Sequence, residues 1–226
     1  MRNDDTPIEY HSFYNDPRDE VIIPSSDNIN FRASRHKLTR VSTFFKDILD
    51  IRPVDRSEAI PLDFSSEVVP TFLDAISTST VDIPPLEKEK AKLLLNLCNF
   101  LMSDSIYSSV HQAVIASYKS KPFDLLEIAS SVNDIKMAKD ALGKVNECTI
   151  SQLKESENGT YPNHVRSNDF QKFIKQLRPS YQLAILHTCH DQGMLFPQID
   201  CENQVTIISQ FAWPDLARNF DPSAFE

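Results

Sequence analysis

The sequence predicts an α+β fold, with a small sheet and a helical bundle in the N-terminal half, followed by an all-helical C-terminal region. Three observations predict it. Two short apolar runs, Val21-Ile22-Ile23 and Ile29-Asn30-Phe31, flank Asp27-Asn28, which is a hairpin signal because asparagine tolerates the left-handed backbone of a tight turn. Apolar residues Leu38, Val41, Phe44, Phe45, Ile48 and Leu49 recur at spacings of three and four, the period of one helix or of two short ones. Beyond Pro122 the same period persists until late in the chain.

The elements follow in order. Pro24 suits an edge strand or a bulge, and Ala59-Ile60-Pro61-Leu62-Asp63-Phe64 reads as a third strand. Ser65 or Ser66 is placed to cap a helix whose face is Val68, Val69, Phe72, Leu73 and Ile76, with Pro70 in its first turn, where a missing N–H costs little. Pro84-Pro85 separates it from a helix of about Leu86 to Leu101, and another runs from about Asp104 to Ser117. Phe123 to Val132 and Ile135 to Val145 form a pair joined at Asn133-Asp134. The polar segment from Lys154 to Asn168 reads as an exposed loop. Phe170 to His190 resumes amphipathic helix, interrupted at Pro179, and the end, Val205 to Ile208 and Phe211 to Pro214, mixes strand-like and aromatic residues without a clear place.

Composition excludes whole classes of function. The chain has 226 residues, 41% hydrophobic and 24% charged, but only three glycines, where average usage would give roughly fifteen. Neither a P-loop nor a dinucleotide-binding glycine motif can be written with Gly143, Gly159 and Gly193. The nucleophile elbow and the zinc helix H-E-x-x-H are absent too. A net charge of −9 and a pI near 5.1 repel phosphate backbones, so nucleic acid is not expected as a partner. The short basic stretch Arg32, Arg35, His36, Lys37 and Arg40 reads as a solvated helix face. Leu93 to Met102 is the longest greasy stretch, far short of the ~20 residues that span a bilayer. With no apolar signal core at the start, an intracellular protein, cytoplasmic or nuclear, is expected. Four cysteines at unrelated spacings read as free thiols.

The chemistry-bearing residues offer little to an enzyme. His187, Cys189, His190 and Cys201 form a local cluster of metal-capable side chains, but their spacing fits no common zinc finger. Cys98 lies in the apolar run and reads as core, where burial blunts a thiol. Asp4-Asp5 and Asp19-Glu20 lie beside turns with no second catalytic group at a known offset. No catalytic activity, cofactor or metal is therefore expected.

The order of elements, with Phe31 and Leu38 seven residues apart and then Ser42-Thr43-Phe44-Phe45, resembles the BTB/POZ domain. The likeness is to the divergent BTB proteins abundant in fungi, which carry a further helical half. Asp27 to Arg32 and Lys37 to Leu49 look like that family's strand and helix core, and Pro122 to Ala141 like the helix pair that commonly follows. The resemblance divides the chain into an N-terminal arm (1–18), a BTB/POZ-like domain (19–118) and a helical C-terminal region (119–226). It departs where the family usually has Val-His-Arg or Val-His-Lys, since this chain reads Ala33-Ser34-Arg35.

The resemblance implies a non-catalytic interaction module, a scaffold or adaptor that works through protein partners and forms a homodimer. Its implied interface comprises Ile8, Tyr10, Phe13, Glu20, Arg35 and Leu38. Glu20 and Arg35 stand where the family places an opposite-charge pair in an interface pocket; two unrelated surface charges are the other reading. The arm with Ile8, Tyr10, Phe13 and Tyr14 either crosses to a second subunit or packs back on its own chain. A cullin is the alternative partner, although the family's apolar-x-Glu signature has no match in Leu49 to Arg56. At two turns where these proteins usually put glycine, this chain has Asn28 and Asn133, so both are expected at positive φ.

Overall fold

The structure, a computed structural model, describes residues 9–51, 59–78, 83–146, 149, 165–166, 172–191, 198–199, 205–207 and 213–226. The chain is mixed α and β, mostly helical, and divides into two compact units, Met1–Val114 and Ile115–Glu226.

The first unit opens on strands β1 (Glu9–Tyr10), β2 (Val21–Pro24) and β3 (Ile29–Ala33) in the order β1-β3-β2. β2 and β3 pair antiparallel with Ile23 opposite Phe31, and β1 lies parallel to β3. The hairpin turn has Asn28 at φ 64°, as expected. Ser25 steadies it from both sides, since its Oγ donates to the Ile29 carbonyl at 2.9 Å and accepts from the Ile29 N–H at 3.1 Å. The segment expected as a third strand runs parallel to β2 but forms only one bridge, Ile22 to Ala59. Two backbone bonds carry it onward, Ile60 N–H to the Ile22 carbonyl and Leu62 N–H to the Pro24 carbonyl, both 2.9 Å. In a parallel ladder a residue donates and accepts on the same side, and Pro24 has no N–H to return, which keeps the ladder incomplete.

Helices α1 (Arg35–Val41) and α2 (Thr43–Ile51) follow, so the stripe from Leu38 to Leu49 is two short helices. Ser42 makes the break. Its backbone is extended (φ −130°, ψ 119°), and its Oγ accepts from the Phe45 N–H at 3.2 Å, capping the first turn of α2. Then come α3 (Val69–Ser77), α4 (Lys88–Phe100) and α5 (Asp104–Ser117), the last with the bounds its periodicity predicts. The core of this unit comprises Val21, Ile23, Phe31, Leu38, Phe45, Leu49, Phe72, Leu73, Leu94 and Leu97. Cys98 is fully buried, and burial pushes its thiol up to about 12.

The cap expected from Ser65 or Ser66 does not form: α3 begins after Val68 with no side-chain cap. Asp27 has taken Ser66 instead, accepting its N–H at 2.8 Å and its hydroxyl, which holds the Asp27 carboxyl down at about 2. One left-handed residue was not foreseen. Met102, at φ 50°, closes α4 in a Schellman turn, with Ser103 N–H on the Cys98 carbonyl and Met102 N–H on that of Asn99, both 3.0 Å. A side chain there costs about 1–2 kcal/mol that glycine avoids, partly offset by glycine's greater freedom when unfolded. Met102→Gly is expected to raise stability by about 0.5–1 kcal/mol in a urea melt; a loss of stability overturns this account of the turn.

The second unit is built on α6 (Pro122–Val132) and α7 (Ile135–Gly143). Asn133 sits between them at φ 57°, with Asp134 N–H on the Ala129 carbonyl at 2.9 Å, the same Schellman turn on the expected residue. Asp134 then caps α7 through the Met137 N–H at 2.8 Å. α8 (Pro179–Asp191), α9 (Trp213–Asn219) and a closing 3₁₀ turn (Pro222–Phe225) follow, with α9 packed on α7.

An all-helical C-terminal region is overturned by a second sheet. β4 (Val165–Arg166), β5 (Gln198–Ile199) and β6 (Val205–Ile207) pair antiparallel in the order β4-β6-β5. The central strand is Val-Thr-Ile, β-branched at every position and therefore suited to extended backbone. The loop expected over 154–168 thus contains a strand at Val165–Arg166, and its other positions lie outside the described residues. Among the described residues no helix is long and apolar enough to cross a membrane.

Candidate interaction surfaces

Of the residues expected at an interface, Ile8 lies outside the described residues. Tyr10 is half-buried in β1, with the Arg32 guanidinium 5.1 Å from its ring centre. From there the described part of the arm packs on its own chain. The His11 ring stacks on Phe31 at 4.9 Å, and its Nδ1 accepts the N–H groups of Phe13 and Tyr14, both at 3.3 Å. The Tyr14 phenol donates to the Asp74 carboxylate on α3; burial first, and that carboxylate second, hold the phenol proton on. Between these two anchors Phe13 is 76% exposed, its ring edge-to-face with that of Tyr14 at 5.1 Å.

Within the chain Glu20 and Arg35 form no ion pair with each other. The Glu20 carboxylate accepts the backbone N–H of Arg35 at 3.2 Å, at the N-terminus of α1, while the Arg35 guanidinium donates to the Leu49 carbonyl in the last turn of α2. Each charge has met a helix end of complementary sign, an anion at the donor end and a cation at the acceptor end. Leu38 has no exposed surface at all, so its place is the core of its own unit and not an interface with a second copy. Of the basic stretch, His36, Lys37 and Arg40 are exposed as a solvated face requires.

The metal-capable cluster is split. His187 and His190 lie exposed on α8, each with Nδ1 turned to Asp191, at 3.2 and 3.6 Å. Cys189 is buried, with its thiol pushed up to about 11, and Cys201 lies outside the described residues. Among the described residues no three histidine, cysteine or acidic side chains converge on a site for an ion.

α2 carries a second apolar surface. Phe45 and Leu49 face inward from α2 and are fully buried, whereas Phe44, Ile48 and Ile51, at i, i+4 and i+7, form a separate stripe. With Ala59, Ile60 and Pro61 this stripe lines an open groove of about 440 Å³. Ile51 is 79% exposed. Phe100 extends the surface, its ring 5.0 Å from Phe44 and 5.7 Å from Phe64, and the exposed Met102 accepts the Thr43 N–H through its carbonyl. The signal was in α2 itself: five apolar residues in nine make a band wider than one core-facing stripe needs. No protein-family model and no curated protein matches this chain.

Proposed function

We propose that this chain is a non-catalytic protein–protein interaction module that self-associates through the arm side of its first unit. Phe13 carries the reading. A large ring held outward on a segment pinned by His11 on Phe31 and by Tyr14 on Asp74 is a preorganised anchor, and burying such a ring against a partner recovers the free energy its exposure costs. The finer assignment of the first unit as BTB/POZ-like belongs to the same proposal. It rests on the order of hairpin, helix pair, extended segment and helices, and on asparagine at the two left-handed turns.

Sedimentation equilibrium tests it. The protein is expected to be dimeric at tens of micromolar, and Phe13→Ala to weaken the dimer at least about tenfold, the effect of removing one central aromatic anchor. A monomer at that concentration, or a dimer indifferent to Phe13→Ala, overturns the proposal.

The α2 surface favours a second reading, an adaptor that docks another protein there. The family resemblance associates the region after the second helix with cullin recruitment, and Ile51 ends that helix fully in view. Binding of a purified cullin that is lost in Ile51→Ser would favour it over simple self-association.

A further inference from the structure

The groove beside α2 is lined wholly by carbon side chains. A small-molecule site carries a few polar groups that orient its ligand, and none of these side chains supplies one. A second copy docked through antiparallel α2 helices is also a poor occupant. Where a two-fold axis sets two α2 helices antiparallel, like flank meets like flank. Here the flank next to the Phe44, Ile48, Ile51 stripe carries Asp47 and, beyond it, Asp50, both exposed and neither ion-paired among the described residues. Antiparallel copies would therefore set aspartate against aspartate, which is repulsive.

An incoming strand is disfavoured as well. Ile60 and Leu62 turn their N–H groups to β2, so Ala59 and Pro61 turn their backbone outward, and Pro61 has no N–H to offer. What matches is a helix. The stripe on α2 is about 10 Å long, two turns, and complements apolar anchors at the same spacing on another helix.

We infer that the α2 groove receives an amphipathic helix of a partner protein whose apolar stripe is bordered by lysine or arginine facing Asp47 and Asp50. This rests on reading the chain as an interaction module and adds the chemistry of the partner. The apolar contacts supply affinity, and the two carboxylates exclude helices bordered by acid.

Two designed helical peptides of about 16 residues, with the same leucine stripe bordered by lysine in one and glutamate in the other, are titrated into the full chain by fluorescence anisotropy. At about 50 mM salt the lysine peptide is expected to bind roughly fivefold to tenfold more tightly, with the advantage shrinking as salt screens the rim. Ile51→Ser is expected to weaken the lysine peptide, and Asp47→Asn with Asp50→Asn to abolish the preference while leaving both peptides bound. Equal binding of the two peptides to the unmodified chain overturns the inference yet leaves a docking surface in place. Binding of neither overturns the inference and the α2 docking reading together, and leaves self-association to its own test at Phe13.

Discussion

Leu38→Ala is expected to cost about 3 kcal/mol of stability, within the 2–5 kcal/mol span for truncating a buried leucine, and to leave the association of the molecules that remain folded unchanged. Leu38 has no exposed surface, and α1, which carries it, packs on both α2 and α3. Its backbone is held at both ends of the helix, the N–H on the Ser34 carbonyl at 3.1 Å and the carbonyl taking the Ser42 N–H at 3.0 Å. The helix cannot slide to fill the space left by the missing atoms. Phe31, Phe45 and Leu49 are equally buried in the same close-packed unit, so the cost should lie above the bare transfer of the lost methyl groups. Urea denaturation gives the stability, and sedimentation of the native variant gives the association. A stability loss under about 1 kcal/mol together with a weakened dimer would return Leu38 to an interface.

The contrast between Leu38 and Ile51 shows what a sequence can and cannot convey. Both are apolar, both fall on the helical period, and both lie within the same stretch of chain, yet one is wholly buried and the other 79% exposed. Periodicity reports that apolar residues share a face of a helix, but not which neighbour covers that face, and of the two apolar faces of α2 only the one with Phe45 and Leu49 is fully buried. Turns were legible for a different reason: Asn28 and Asn133 occupy left-handed positions because few other side chains tolerate them, a property of the residue itself. Met102 takes such a position against its own preference, compelled by the Schellman bonds that end α4, and no local rule reveals it. The partners that Glu20 and Arg35 take within the chain were hidden on the same ground. Charge complementarity is visible in a sequence, but the helix ends that compete for each charge exist only once the chain has folded. In the C-terminal half, the β-branched Val205-Thr206-Ile207 signalled a strand locally, whereas its partners lie at positions 165–166 and 198–199, across separations that no short-range pattern spans.

Phe123→Ala is expected to destabilise the second unit by about 3–5 kcal/mol, the usual cost of removing a buried phenylalanine. Phe123 opens α6 and is buried; its ring meets Phe173 edge-to-face at 5.1 Å and 73°, and Trp213 at 6.0 Å and 83°. Trp213 begins α9, so this residue of the aromatic stretch meets the first turn of α6. One ring therefore ties together three segments far apart in the chain, and its loss removes both edge-to-face contacts, each worth about 0.5–1.5 kcal/mol beyond the area it buries. Trp213 is the only tryptophan, so its fluorescence reports denaturation of this unit without signal from the other. The wild-type midpoint by fluorescence should fall markedly in Phe123→Ala, while circular dichroism of the helices in Met1–Val114 retains a transition near its original midpoint. A double-mutant cycle between Phe123→Ala and Phe173→Ala should show coupling of about 1 kcal/mol, because the second truncation removes a contact that the first has already lost. Additive losses would mean that the two rings are buried independently, and a loss under about 1 kcal/mol for Phe123→Ala alone would place the core of this unit elsewhere, on the fully buried Tyr181 and Phe220, whose rings lie 5.4 Å apart.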